Sequence, residues 1–198
     1  MFTGIIHYQG LFKGYRTAQR EIVIEVPASF PDLEIGESVA VDGVCLSLLR
    51  RELSRIFFNL SQETLARSTL GKLKNGDSLN LELPLTLQSP LSGHLVSGHI
   101  DGLGKVLRVV EKAPGRRLTI SLPRNLRPFL VPKGSVAVNG VSLTIAGLKT
   151  SSFDVELIPL TIAKSNLRGL RVGRMVNLEC DIIGKYVYNW ISRGKHRA

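Results

Sequence analysis

The chain repeats itself. Ser38-Val39-Ala40-Val41-Asp42-Gly43-Val44-Cys45-Leu46 returns 97 residues later as Ser135-Val136-Ala137-Val138-Asn139-Gly140-Val141-Ser142-Leu143, with seven of the nine positions identical. The two exceptions are near-isosteric, Asp42 for Asn139 and Cys45 for Ser142. At the same offset, residues 64–82 return as 161–179, keeping Thr64/Thr161, Ala66/Ala163, Ser68/Ser165, Leu70/Leu167 and the closing triplet Asn80-Leu81-Glu82/Asn177-Leu178-Glu179. At an offset of 94, Gly4, Ile6 and Gly10 return as Gly98, Ile100 and Gly104. Three blocks in one order mean a duplicated domain. The expected division is 1–91, 92–184, and a C-terminal helix and tail over 185–198.

Each half reads as β. Ile22-Val23-Ile24-Glu25-Val26, 38–41, Leu79-Asn80-Leu81-Glu82-Leu83 and Leu118-Thr119-Ile120-Ser121-Leu122 are short, rich in β-branched residues or leucine, and bounded by turn signals such as Asp42-Gly43, Asn75-Gly76 and Asn139-Gly140. Several such strands in about 90 residues predict a small closed barrel, which leaves no sheet edge exposed. Short helices are expected over 62–70, over its repeat 160–167, and over 182–191. The last carries Ile183, Val187, Trp190 and Ile191 as an apolar stripe. That stripe suits an oligomer contact and equally suits packing on its own barrel.

Composition narrows the class. Of 198 residues 43% are hydrophobic and 21% charged, which excludes a disordered chain. Lys and Arg number 26 against 16 Asp and Glu, a net charge of +10. The cations are scattered and no aromatics alternate with them, so they read as a solvated basic surface with no specific nucleic-acid function. Arg193-Gly194-Lys195-His196-Arg197 reads as a frayed terminus. With Cys45 and Cys180 alone there is no disulfide framework, and a reducing cytoplasm is expected. Met1 to Ile6 lacks the features of a secretory signal, and no apolar run is long and clean enough to span a membrane.

The differences between the copies are the informative part. Cys45 faces Ser142 in the comparison, Ile5 faces His99, and Ser47 faces Thr144. Two similar cavities with distinct polar groups suit two similar ligands held in different roles. His99 is suited to acid–base work near neutral pH. His94 and His99 are five apart and in a strand point to opposite sides, so no shared metal is expected. A lone histidine in a glycine-rich strand is more often structural, Cys45 in an apolar strand is more often packing, and Ser38, Ser135, Ser142 and Thr144 can simply bond backbone. No phosphate-binding loop, zinc-type cysteine pair, dinucleotide fingerprint or nucleophile elbow is present.

Met1-Phe2-Thr3-Gly4-Ile5-Ile6, Gly36-Glu37 through Ser47, Gly93-His94-Leu95-Val96-Ser97-Gly98-His99-Ile100-Asp101-Gly102, Lys133-Gly134 through Thr144, Leu157-Ile158-Pro159 and Ile183-Gly184-Lys185-Tyr186-Val187 together resemble the riboflavin synthase family of the alpha-chain type. The resemblance covers essentially the whole chain. It implies an all-β fold of two tandem six-stranded Greek-key barrels and a short C-terminal helix used in homotrimer contact. It implies a transferase without cofactor or metal, in which two 6,7-dimethyl-8-ribityllumazine molecules exchange a four-carbon unit. The products are riboflavin and 5-amino-6-ribitylaminouracil. Each barrel holds one lumazine, and the active site pairs the N-terminal barrel of one subunit with the C-terminal barrel of another. Lumazine synthase is a candidate partner protein.

Carried over to this chain, the resemblance makes His99 and Thr144 the acid–base pair of the second barrel, with Ser38 and Cys45 assisting from the first. Substrate contacts on the first side are Gly4, Ile5, Ile6, Cys45, Leu46, Ser47, Asn59, Leu60, Ser61, Gln62, Glu63 and Thr64. On the second side they are Gly98, His99, Ile100, Lys133, Ser142, Leu143, Thr144, Leu157, Ile158, Pro159, Leu160 and Thr161. The family commonly carries Asn before Gly in the first barrel and Asp in the second; here the two are exchanged, as Asp42 and Asn139. The rival reading is a non-catalytic lumazine- or flavin-binding protein of the same fold, a class that loses the second-barrel histidine which this chain keeps as His99.

Overall fold

A computed structural model describes residues 1–16 and 20–194. The basic tail from Lys195 onward lies outside the described residues. Strands β1 (Tyr8–Arg16), β2 (Glu21–Glu25), β3 (Ser38–Val41), β4 (Val44–Glu52), β5 (Arg55–Asn59) and β6 (Ser78–Glu82) close into a barrel in the order β1-β2-β5-β4-β3-β6. The second half repeats the arrangement. Strands β7 (Gly102–Lys112), β8 (Gly115–Ser121), β9 (Ser135–Val138), β10 (Val141–Leu148), β11 (Ser152–Leu157) and β12 (Met175–Cys180) close as β10-β11-β8-β7-β12-β9, the same ring. All pairings are antiparallel, and every strand has two partners, so neither barrel has an open edge.

Alternation along the strands fills each barrel. On β4 Val44, Leu46 and Leu48 are buried, and they meet Ile22, Ile24, Phe58, Leu79 and Leu81 in the first core. Leu118, Ile120, Ile145, Val155 and Val176 do the same in the second. Each such side chain contributes roughly 1.5–3 kcal/mol by leaving water. Two-residue hairpins join β3 to β4 and β9 to β10. Asp42 and Asn139 both adopt φ 46°, followed by Gly43 and Gly140 at 79° and 76°, the left-handed pair that a tight hairpin requires. The expected helices are real but interrupted. Helix α1 (Gln62–Arg67) stops at Ser68, whose hydroxyl donates to Thr64 O at 2.6 Å and accepts from Leu70 N at 3.2 Å, starting a 3-10 turn over Thr69–Lys72. Helix α2 (Pro159–Lys164) stops at Ser165 in the same manner, donating to Thr161 O at 2.6 Å.

The barrels meet across a pseudo-two-fold axis. Phe2 pairs with Val96, its own repeat partner, through bonds of 2.7 and 3.0 Å. Deeper in the seam Asn80 Nδ2 donates to Asn139 O and Asn177 Nδ2 donates to Asp42 O, each at 2.9 Å. Asp42 Oδ1 accepts from Asn80 N at 2.8 Å, as Asn139 Oδ1 accepts from Asn177 N at 2.8 Å. Asn166 breaks the symmetry by donating its amide to Asp42 Oδ1 at 2.8 Å. Burial pushes the Asp42 carboxyl up to about 7, against those donors.

Helix α3 (Ile182–Gly194) follows β12. It rests on the second barrel through Tyr188, whose ring meets Phe129 edge-on at 5.2 Å. The apolar stripe does not pack on its own barrel. Ile183, Val187, Trp190 and Ile191 are all more than half exposed, and Trp190 is 80% exposed. No helix among the described residues is long and apolar enough to cross a membrane.

Candidate functional site

Strand register sets one face of each barrel. Ser38 lies opposite Ser47, and Cys45 precedes Ser47 by two, so these three side chains share the outward face of β3 and β4. Ser135, Thr144 and Ser142 are their counterparts on β9 and β10. Leu46, Leu60, Leu143 and Leu157 point instead into the cores.

The segments that lie on these faces come from the opposite half. Residues Gly98 and His99, which lead into the second barrel, cross to the first: Cys45 N donates to Gly98 O at 2.9 Å. A Cβ at Gly98 would sit 2.5 Å from Cys45 Cβ, so only glycine allows this approach, and its φ of 86° is also left-handed. The N-terminal segment makes the mirror crossing, with Ser142 N donating to Gly4 O at 2.8 Å. Ile6 is accordingly part of the second core, and Ile100 packs against the first. This corrects the expected grouping. Within one chain His99 lies with Cys45 on the first barrel, and Gly4 and Ile6 lie on the second. The halves exchange their leading segments.

The first cavity, about 310 Å³, is lined by Val44 and Cys45 from β4, Glu63, Thr64 and Arg67 from α1, Ser68, and the crossing residues Gly98, His99 and Ile100. Ser61 caps α1 by accepting from Thr64 N at 3.0 Å, Gln62 is exposed beside it, and Arg67 Nε donates to the Glu63 carboxylate. Asn59 is exposed at the end of β5. On the second barrel Ile158 leads into α2, Pro159 occupies its first turn, and Leu160 is exposed with Thr161 behind it. Lys133 is exposed at the approach to β9, its amide donating to Ile145 O at 3.0 Å. A larger cavity of about 390 Å³ lies in the seam beside Asp42 and Asn139, and none of the expected site residues lines it.

Two carboxylates absent from the expected site hold the crossings. Glu82 Oε1 accepts from Thr3 N and Oγ1 at 2.6 and 2.7 Å, and Oε2 accepts from Gly4 N at 3.0 Å. Glu179 takes Ser97 N, Ser97 Oγ and Gly98 N at 2.6, 2.7 and 3.0 Å. Burial raises both carboxyls while the donors oppose it. Their identity in the two repeats was the available signal. His94, read as structural, places Nδ1 2.7 Å from Ser142 Oγ, and burial lowers its pKa. Burial and then Asp101 push the Cys180 thiol up to about 12, which makes it a packing residue. Among the described residues no cluster of three His, Cys, Asp or Glu could hold a metal ion.

The family model described as "Lumazine binding domain" matches the chain twice, over residues 3–84 and 97–181. Riboflavin synthase of Bacillus subtilis (strain 168) is 34% identical over 195 residues, covering 98% of this chain and 91% of that protein. Riboflavin synthase of Mycobacterium tuberculosis (strain ATCC 25618 / H37Rv) is 37% identical over 193 residues, covering 94% and 96%. The chain belongs to the riboflavin synthase family. Among solved structures, LumP complexed with riboflavin superposes with a TM-score of 0.82 at 24% identity, over 91% of this chain and 99% of that one. LumP complexed with 6,7-dimethyl-8-(1'-D-ribityl) lumazine gives 0.79 at 24% identity, over 90% and 98%. These neighbours share the two-barrel fold of the riboflavin synthase family.

Proposed function

We infer that this chain catalyses the dismutation of two 6,7-dimethyl-8-ribityllumazine molecules to riboflavin and 5-amino-6-ribitylaminouracil. The observation that carries the reading is the meeting of His99 with Cys45 in the first cavity, in a chain of the riboflavin synthase family. That cavity, about 310 Å³, falls within the roughly 300–1,000 Å³ of small-molecule sites. The reaction needs no redox partner, because one lumazine gives up the four carbons that the other gains.

The 7-methyl group of one lumazine is acidified by its ring system, and an imidazole is suited to taking that proton. The ring-ward face of β3 and β4 offers Ser38, Cys45 and Ser47 to the same ligand for proton transfer around the attacked carbon. Thr144 and Ser142 would offer hydroxyls to the second lumazine, and Lys133 with the exposed start of α2 would take its ribityl chain. Stacking two such rings face to face supplies orientation, which can lower a bimolecular barrier by roughly 7–11 kcal/mol.

Two lumazines would stack when the Cys45 cavity of one subunit faces the Ser142 and Thr144 face of another. The uncovered stripe of α3 is the surface we assign to a homotrimer that brings them together. Two free cysteines fit an enzyme of the reducing cytoplasm. The test is riboflavin formation followed by absorbance in the unmodified protein, His99→Ala and Cys45→Ser. Turnover that drops at least tenfold in His99→Ala supports the assignment, whereas equal turnover in all three removes His99 from the chemistry. Tight fluorescent binding of lumazine with no riboflavin from the unmodified protein would establish a carrier instead.

A further inference from the structure

We propose that Glu179 is a positioning residue for His99: its carboxylate pins the Ser97-Gly98 turn and so sets the imidazole at the Cys45 cavity. The proposal deepens the reading of that cavity as a lumazine site and rests on it. Glu179 is 2% exposed on β12, a strand closed into the second barrel on both sides. Both of its oxygens are engaged, one by Ser97 N and Oγ and the other by Gly98 N. From this point the chain crosses to the first barrel. Gly98 O then receives Cys45 N at 2.9 Å, and His99 N donates back to Ser97 Oγ at 3.3 Å. The crossing is therefore held on one side by Glu179 and on the other by Cys45, with His99 next in the chain. No other side chain hydrogen-bonds this turn among the described residues.

A carboxylate is required because every group facing it is a donor. A glutamine of the same size would turn an N–H toward Ser97 N or Gly98 N and leave a buried donor unpaired. The turn would then relax by a fraction of an ångström to an ångström, a displacement that matters at a reacting centre and little elsewhere. Lys185, whose charge acts on this carboxylate, is engaged with Asp101 at 2.7 Å and does not take over the clamp.

The repeat supplies an internal control. Glu82 makes the same three bonds at the same lengths to Thr3 and Gly4, but the residue it delivers is Ile5, which carries no proton to move. A structural clamp and a positioning clamp are therefore present in one molecule. Loss of either destabilises the fold alike, and only loss of Glu179 disturbs His99.

The experiment is a double-mutant cycle in the full chain with 6,7-dimethyl-8-ribityllumazine as substrate. Glu179→Gln and Glu82→Gln are expected to lower Tm by similar amounts. Glu179→Gln is expected to lower kcat roughly 10- to 100-fold. Added to His99→Ala it should cost no more than about a further twofold, whereas the Glu82→Gln and His99→Ala losses should multiply. Multiplying losses for Glu179→Gln with His99→Ala overturn the proposal. So does an unchanged kcat in Glu179→Gln. Glu179→Asp, which keeps the charge on a shorter arm, should recover part of kcat and serves where the glutamine variant does not fold. A second readout stands apart from turnover: the imidazole NMR signals of His99, identified by their loss in His99→Ala. They should move in Glu179→Gln and stay in place in Glu82→Gln. If they stay in both, the proposal fails even with full activity in the unmodified protein. If they move but that protein makes no riboflavin, the positioning stands and the enzymatic reading fails.

Discussion

Replacing Asp42 by asparagine should stabilise this protein, and more so as pH rises. Asp42 is 3% exposed in the seam, and both hydrogen bonds that its carboxylate accepts end on the same oxygen. No Lys, Arg or His nitrogen among the described residues forms an ion pair with it. Arg174 and Lys72 line the neighbouring cavity, but Arg174 is paired with Asp77 at 3.3 Å, and the Asp77 charge itself opposes ionisation of Asp42. Burial is the largest effect and lifts the carboxyl from 3.8 to about 7. A raised folded-state value means that the native protein holds the proton more tightly than the unfolded chain. Stability is therefore full below about pH 4, falls as pH climbs from about 4 to 7, and stays low above that. About three pH units at about 1.4 kcal/mol each gives a loss on the order of 4 kcal/mol. Asn139 shows that an amide fits the position, since it has the same φ and the same 2.8 Å bond from the partner strand. Thermal unfolding of the unmodified protein and Asp42→Asn at pH 4.5 and pH 8 provides the assay. The gap in Tm should be on the order of 10 °C at pH 8 and small at pH 4.5. A gap that is the same at both pH values, or a variant less stable at pH 8, would refute the assignment of a buried, protonated carboxyl.

Two further outcomes follow from the packing. Gly98→Ala forces a Cβ to within 2.5 Å of Cys45 Cβ at a left-handed φ, and should cost on the order of 2–4 kcal/mol in urea unfolding together with loss of turnover. Trp190→Glu combined with Ile183→Glu places charges on the uncovered face of α3; sedimentation velocity should show smaller particles while circular dichroism stays that of the parent. An unchanged sedimentation coefficient would remove α3 from the subunit contact.

The duplication and the barrels were legible because both are local or periodic properties. The strand 38–41 was placed at its observed bounds, and Asp42-Gly43 with Asn139-Gly140 announced the hairpins by the backbone they require. The helix over 62–70 was overextended because Ser68, a residue that competes for backbone bonds, ends it and starts a tighter turn. The exchange of leading segments was not legible. A repeat states that Gly4 and Gly98 are equivalent, but equivalence is the same whether each segment folds onto its own barrel or onto the other. The assignment of His99 to the second barrel missed the crossing for that reason. Glu82 and Glu179 stood in the repeat as identical acidic residues on apolar strands, a pattern that costs stability unless donors surround it. That was the one available sign of the clamps.

This chain consumes its substrate in pairs, one lumazine giving four carbons to the other. The direct measurement is stoichiometry. Purified protein is incubated with 6,7-dimethyl-8-ribityllumazine alone, and substrate, riboflavin and 5-amino-6-ribitylaminouracil are quantified by chromatography over time. Two lumazines should be lost for each riboflavin and each pyrimidine formed, without any added cofactor. Lumazine recovered intact from a bound, fluorescent complex would contradict it.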